Sequence, residues 1–150
     1  MVVKVIDNGY TNYKEAFKAL HNKSVNIGLF AKVGNDVLTK GIVNEFGTKN
    51  IPERSFLRKT FNDEYKKVAK QFDKIIISFG KKDLGVDRKL RLIGRSQQGA
   101  VQKTITDLKV PPNAASTIKA KGSSNPLIDT GEMRLKINYE IRWVVLEDRY

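Results

Sequence analysis

Between Phe56 and Phe79 the apolar residues Leu57, Phe61, Tyr65, Val68, Phe72, Ile75/Ile76 and Phe79 recur in unbroken steps of three and four, and Gly80 ends the run. This spacing predicts one long amphipathic helix, and such a helix must lay its apolar stripe on a core. A second stripe follows directly. Val86, Leu90, Ile93, Val101, Ile105 and Leu108, with Gln97 on the same face, predict a helix over about 84–108. At 100° per residue, Arg88, Arg91 and Arg95 fall nearly opposite that stripe.

The remaining segments change period. Val2, Val3, Val5 and Ile6 form a β-prone run that stops at the turn tripeptide Asp7-Asn8-Gly9. Asn12-Tyr13-Lys14-Glu15 reads as an N-cap with its box partner, and Tyr13, Ala16, Phe17 and Leu20 share one face of a short helix ending near Asn22. Val25, Ile27, Leu29 and Ala31 alternate as a half-buried strand does, up to Gly34-Asn35. Over Asp36–Phe46 the fourfold spacing of Leu38, Ile42 and Phe46 before Gly47 favours a short helix, although Gly41 leaves a strand open. Residues 109–131 lose all periodicity and read as an unusually long loop. A helical turn over Glu132–Lys136 then leads into a strand in which Ile137, Tyr139, Ile141, Trp143 and Val145 alternate with other residues. Three strands separated by helices, with no repeating βαβ spacing, indicate an α+β fold: a small, mostly antiparallel sheet packed against two long helices, with a long loop before the C-terminal strand.

The 150 residues, 40% hydrophobic and 29% charged, suit a single domain over 1–150. No window approaches the apolar length of a membrane span, and Met1-Val2-Val3-Lys4 lacks a signal peptide's features, so a soluble, unexported chain is expected, with no membrane partner. The absence of cysteine removes disulfides, thiolate catalysis and Cys-based zinc sites, and the lone His21 removes clustered-histidine metal sites. Twenty-eight basic against 16 acidic residues give 28 − 16 = +12, which favours polyanions or acidic protein surfaces.

Candidate chemistry is sparse. Asp129-Thr130-Gly131, after Pro126-Leu127-Ile128, resembles the aspartic-protease tripeptide, but only 19 residues follow Gly131 and none is glycine, so the bracing segment of that site is missing. A cap by Thr130 and a bend at Gly131 explain it better. Lys121-Gly122-Ser123-Ser124 lacks the spacing and context of a phosphate loop. His21 has no nucleophile to serve and suits a helix C-terminus, and Glu45 beside Phe46-Gly47 reads as a solvated carboxylate rather than a catalytic one. The sequence offers no credible active site. Arg88, Arg91 and Arg95, with Lys81, Lys82, Lys89 and Lys103 nearby, either track a phosphate backbone or form an ordinary solvated face. No aromatics interleave with them, which disfavours single-strand or sequence-specific reading.

Two stretches carry a resemblance when taken together. One is Asn44-Glu45-Phe46-Gly47-Thr48 continuing through Ile51-Pro52-Glu53-Arg54-Ser55-Phe56-Leu57-Arg58 to Thr60-Phe61. The other is Pro111-Pro112-Asn113 continuing through Thr117, Lys119 and Lys121-Gly122-Ser123 to Pro126-Leu127-Ile128-Asp129-Thr130-Gly131-Glu132-Met133-Arg134. Over roughly residues 25–146 the chain resembles the tail-completion (virion morphogenesis, minor tail) proteins of long-tailed bacteriophages.

That resemblance implies a structural virion protein of the neck or tail, made in the host cytoplasm, that is not an enzyme and needs no cofactor. It would sit as a homohexameric ring at the head-proximal end of the tail, between the tail terminator or tail tube protein and the head connector or stopper, with genomic DNA passing through non-specifically. Arg88, Arg91 and Arg95 are then the candidate channel residues. Pro52 would let Glu53 and Arg54 present a rigid corner to a neighbour, unless the segment serves only to cap the Phe56 helix through Ser55. Residues 109–131 would be a mobile arm, with Lys119 and Lys121 meeting acidic groups and Leu127 and Ile128 filling a neighbour's groove; a passive loop is the alternative. A non-specific DNA-binding or packaging accessory protein is the competing reading of the charge.

Overall fold

The computed structural model describes residues 9–79 and 85–143. In chain order they form α1 (Tyr10–His21), β1 (Lys23–Gly28), a 3-10 turn at Ala31–Val33, α2 (Asn35–Phe46), α3 (Phe56–Phe79), α4 (Val86–Asp107), α5 (Ala115–Lys121), α6 (Glu132–Lys136) and β2 (Asn138–Trp143). The class is α+β. Strands β1 and β2 form an antiparallel pair running from Lys23↔Trp143 to Gly28↔Asn138. The run at Val2–Ile6 lies outside the described residues.

Helices α3 and α4 are the antiparallel spine. At one end Thr60 Oγ1 bonds Thr104 Oγ1 at 2.7 Å, and at the other Phe79 and Val86 share one apolar cluster. Helix α4 also lies across the sheet. A Cβ on Gly94 would stand 2.3 Å from the Tyr139 ring, so only glycine allows this crossing as close as it is.

Two apolar cores flank the spine. One gathers Val37, Phe56, Val101, Ile105, Leu127, Met133 and Ile137; the other gathers Ala16, Ile75, Phe79, Val86, Leu90 and Ile93. Phe56 and Phe79, the first and last residues of α3, are each fully buried, one in each core.

Several expectations shift. Helix α1 starts at Tyr10 with Gly9 in the left-handed region, ahead of the Asn12 cap. The strand expected from Val25 to Ala31 starts at Lys23 and ends at Gly28, giving way to the 3-10 turn. Helix α2 does form, but its inward face is Val37, Gly41 and Glu45, leaving Ile42 and Phe46 exposed. The face turns because a Cβ at Gly41 would meet the Leu29 side chain at 2.4 Å, so α2 packs on Leu29 through the glycine. The stretch 109–131 is not a structureless loop. It contains α5, closed by Gly122 at φ +66°, and with only Ile118 of α5 half-buried among its apolar residues no period could announce it.

Candidate functional site

The two stretches that carry the resemblance meet in space. Gly47 ends α2 at φ +71°, where a Cβ would lie 2.9 Å from the Glu53 backbone nitrogen. The chain then loops back: Thr48 N–H donates to Ile51 C=O at 2.7 Å, and Arg54 N–H donates to Asn44 C=O at 2.6 Å. This return delivers the Arg54 side chain into the protein, where it is 5% exposed. Its Nε donates to Pro111 C=O at 2.8 Å, its Nη2 to Pro112 C=O at 3.0 Å and its Nη1 to Asn44 Oδ1 at 3.2 Å. The planar guanidinium thus joins the α2 end, the 47–55 loop and the double proline. Burial among these neutral acceptors lowers the Arg54 pKa from its ordinary value.

Beside it, Glu45 performs the capping expected of Ser55. Buried within α2, its carboxylate accepts the Leu57 N–H at 2.8 Å and the Arg58 N–H at 3.1 Å, two of the free donors at the start of α3. Arg58 closes the set, bonding Glu45 Oε1 at 3.1 Å and Glu53 Oε1 at 3.0 Å while lying over the Phe46 ring. A carboxylate read as solvated is therefore the first-turn cap of the longest helix. Its signal was present in the spacing Val37-Gly41-Glu45, which shares one helical face.

The third segment of this joint is residues 121–131. Asn125 is buried and bridges Thr106 C=O, through Nδ2 at 2.9 Å, to the Leu127 N–H, which its Oδ1 accepts at 3.0 Å. Leu127 enters the first core and Ile128 packs against it. Lys121 turns back onto Asn125 C=O at 3.2 Å; burial lowers its pKa, the Asp129 carboxylate opposes that shift and the Arg54 charge adds to it. Thr130 Oγ1 accepts the Glu132 N–H at 3.3 Å and Gly131 takes φ +81°, so the Asp-Thr-Gly tripeptide opens α6 as a cap and bend.

Four residues expected to contact a neighbouring subunit are therefore committed internally. Arg54 is enclosed by acceptors of its own chain, Leu127 and Ile128 fill their own core, and Lys121 is folded onto its own loop. Glu53 and Lys119 remain exposed. Arg88, Arg91 and Arg95 are exposed along α4, and their side chains make no hydrogen bond or ion pair with a described residue. Of the nearby lysines, Lys103 is paired with Asp107, Lys89 lies over the Phe79 ring, and Lys81 and Lys82 fall outside the described residues. His21 is exposed at the α1 terminus. Among the described residues no helix is long and apolar enough to cross a membrane, and no cluster of metal-ligating side chains occurs. Comparison of the chain with known protein families, curated proteins and solved structures found no match.

Proposed function

We propose that this chain is a structural virion protein of a long-tailed bacteriophage, completing the head-proximal end of the tail as a ring that joins it to the head. The observation that supports this reading is the Arg54 joint. The two stretches whose pairing carries the resemblance, 57 and 58 positions apart at Arg54–Pro111 and Arg54–Pro112, form one bonded unit. A pairing that coheres physically is better evidence than two separate motifs.

The exposed line of Arg88, Arg91 and Arg95 suits contact with passing DNA, because phosphate contacts need charge but no base-specific geometry. The same line supports the second reading, a non-specific DNA-binding or packaging accessory protein. Cryo-electron microscopy of virions separates the two. The proposal expects six copies at the neck, since heterologous contacts close only at a matching rotation; the protein absent from particles, or spread over the capsid, would overturn it. Replacing the three arginines by Ser should alter genome retention or ejection with the fold intact, and an unchanged virion would remove the channel role.

A further inference from the structure

Helix α3 and strand β1 both lean on α4 but stand apart from each other, leaving an apolar groove in two adjoining chambers of about 610 and 670 Å³. Both chambers are bordered by Val25, Ile27, Phe61 and Gln97. Three independent observations say that the groove is built to be filled.

First, the α3 stripe is only half used. Toward its C-terminus Ile75 and Phe79 are buried, whereas Phe61 and Tyr65 are 66% and 60% exposed, with ring centroids 6.0 Å apart at the rim. Second, β1 pairs only with β2 among the described residues, and residues from both faces of its pleat, Ser24 and Asn26 as well as Val25 and Ile27, border the groove. A strand does this when it is presented edge-on, with alternate backbone N–H and C=O groups unpaired. Third, Gln97 on the floor is 7% exposed and its Nε2 has no acceptor. A buried donor without an acceptor is costly, so an occupant is expected to bring a carbonyl. Apolar walls, an open strand edge and one free donor are what an extended chain needs.

We infer that the groove receives Val2-Val3-Lys4-Val5-Ile6 of a second copy of this chain, added to the edge of β1 as a third strand, with Gln97 Nε2 donating to one of its backbone carbonyls. Five extended residues span about 17 Å, close to the roughly 20 Å of the six residues of β1. Four of its five residues are β-branched, and it carries only one charged side chain, Lys4. The described start of the chain, Gly9, lies at the opposite end of α1 from β1. Helix α1 ends against β1, but Phe17 already lies on Phe79, the last residue of α3, and Gly9 is further away still. Twelve helical residues measure about 18 Å, and eight extended residues reach only about 27 Å. A return to Lys23 would leave about three residues to pair. Donation to the next copy has no such limit, and a contact of this head-to-tail kind closes into a ring at a suitable rotation. The inference goes beyond the virion reading and does not depend on it.

The absence of cysteine allows a direct test. Val3→Cys or Val5→Cys chains are mixed with size-tagged Ser24→Cys or Asn26→Cys chains, oxidised with diamide in about 0.5 M salt to screen self-repulsion, and analysed for disulfide-linked pairs. Mixed-size pairs are expected for at least one combination. Gln97→Leu should lower their yield about fivefold, as loss of one hydrogen bond does, and a free peptide of residues 1–8 should compete. Thermal unfolding establishes that each variant is folded. Linkage confined to one chain in a Val5→Cys/Ser24→Cys double variant would overturn the inference in favour of the chain's own run. No linkage in any combination, or unchanged association after deletion of residues 1–8, would overturn it outright.

Discussion

The two ends of the spine are held by different physics. Around Phe56 the apolar cluster is roofed by directional bonds: Arg54 onto three oxygens, Glu45 onto two backbone donors, Asn125 onto a carbonyl and an amide. Around Phe79 the helices α1, α3 and α4 meet through side-chain packing, and one chamber of the groove opens beside that cluster while the other runs on toward Leu57. Directional bonds between buried groups admit one geometry, because each unmade bond is costly. Apolar contacts tolerate rearrangement and can accept a further segment. The contrast assigns rigidity to the joint and adaptability to the groove.

That contrast can be broken most forcefully at the two fully buried rings. Phe56→Ala should cost about 4 kcal/mol in urea unfolding, from the cavity and the loosened roof together, and Phe79→Ala somewhat less because α1 can settle into the space. The reverse order would deny the difference between the ends. Next, Arg54→Ala should cost about 3 kcal/mol by leaving two carbonyls and the Asn44 amide oxygen short of a donor. Arg54→Lys should recover little of it, since an ammonium lacks the planar fork; full recovery would show that charge alone matters there.

A smaller effect of opposite sign is expected in the groove. Gln97→Leu removes an unpaired buried amide and should stabilise the isolated chain by about 1 kcal/mol. A destabilisation of that size would mean the amide is already satisfied. The smallest effect concerns pH. The folded Lys121 pKa lies below its unfolded value, so in the window beneath the usual lysine value the unfolded chain binds more protons and stability rises with pH. Urea unfolding at several pH values up to that range should show a slight rise in the native chain relative to Lys121→Met; a fall would reverse the assigned sign.

The sequence made the spine legible because long stripes average over many residues: α3 runs from Phe56 to Phe79 as its spacing predicts, and α4 ends one residue short of Leu108. β2 was equally plain in its alternation. Faces were harder to read than elements. In α2 the stripe Leu38-Ile42-Phe46 is the more hydrophobic choice, yet a glycine contact and a buried carboxylate turn Gly41 and Glu45 inward. Periodicity weighs apolar residues and is blind to a polar group whose partners come from elsewhere in the chain. The same blindness hid the joint, since Glu45, Arg54 and Asn125 look like surface residues until the backbone groups they satisfy are in place. Arg88, Arg91 and Arg95 were placed on the exposed side because helix geometry alone decides that.

The spans of the joint's bonds set an order in time. Glu45 reaches Leu57 and Arg58 across 12 and 13 positions, whereas Arg54 reaches Pro111 and Pro112 across 57 and 58. Closing the longer loop costs about 1.3 kcal/mol more in chain entropy, by the logarithm of the length ratio. The carboxylate cap can therefore form with the first turns of α3, while the guanidinium's two bonds to the double proline must wait until the α3–α4 hairpin has brought it round. Arg54 acts as a latch set last, and its loss should quicken unfolding while leaving the folding rate nearly unchanged.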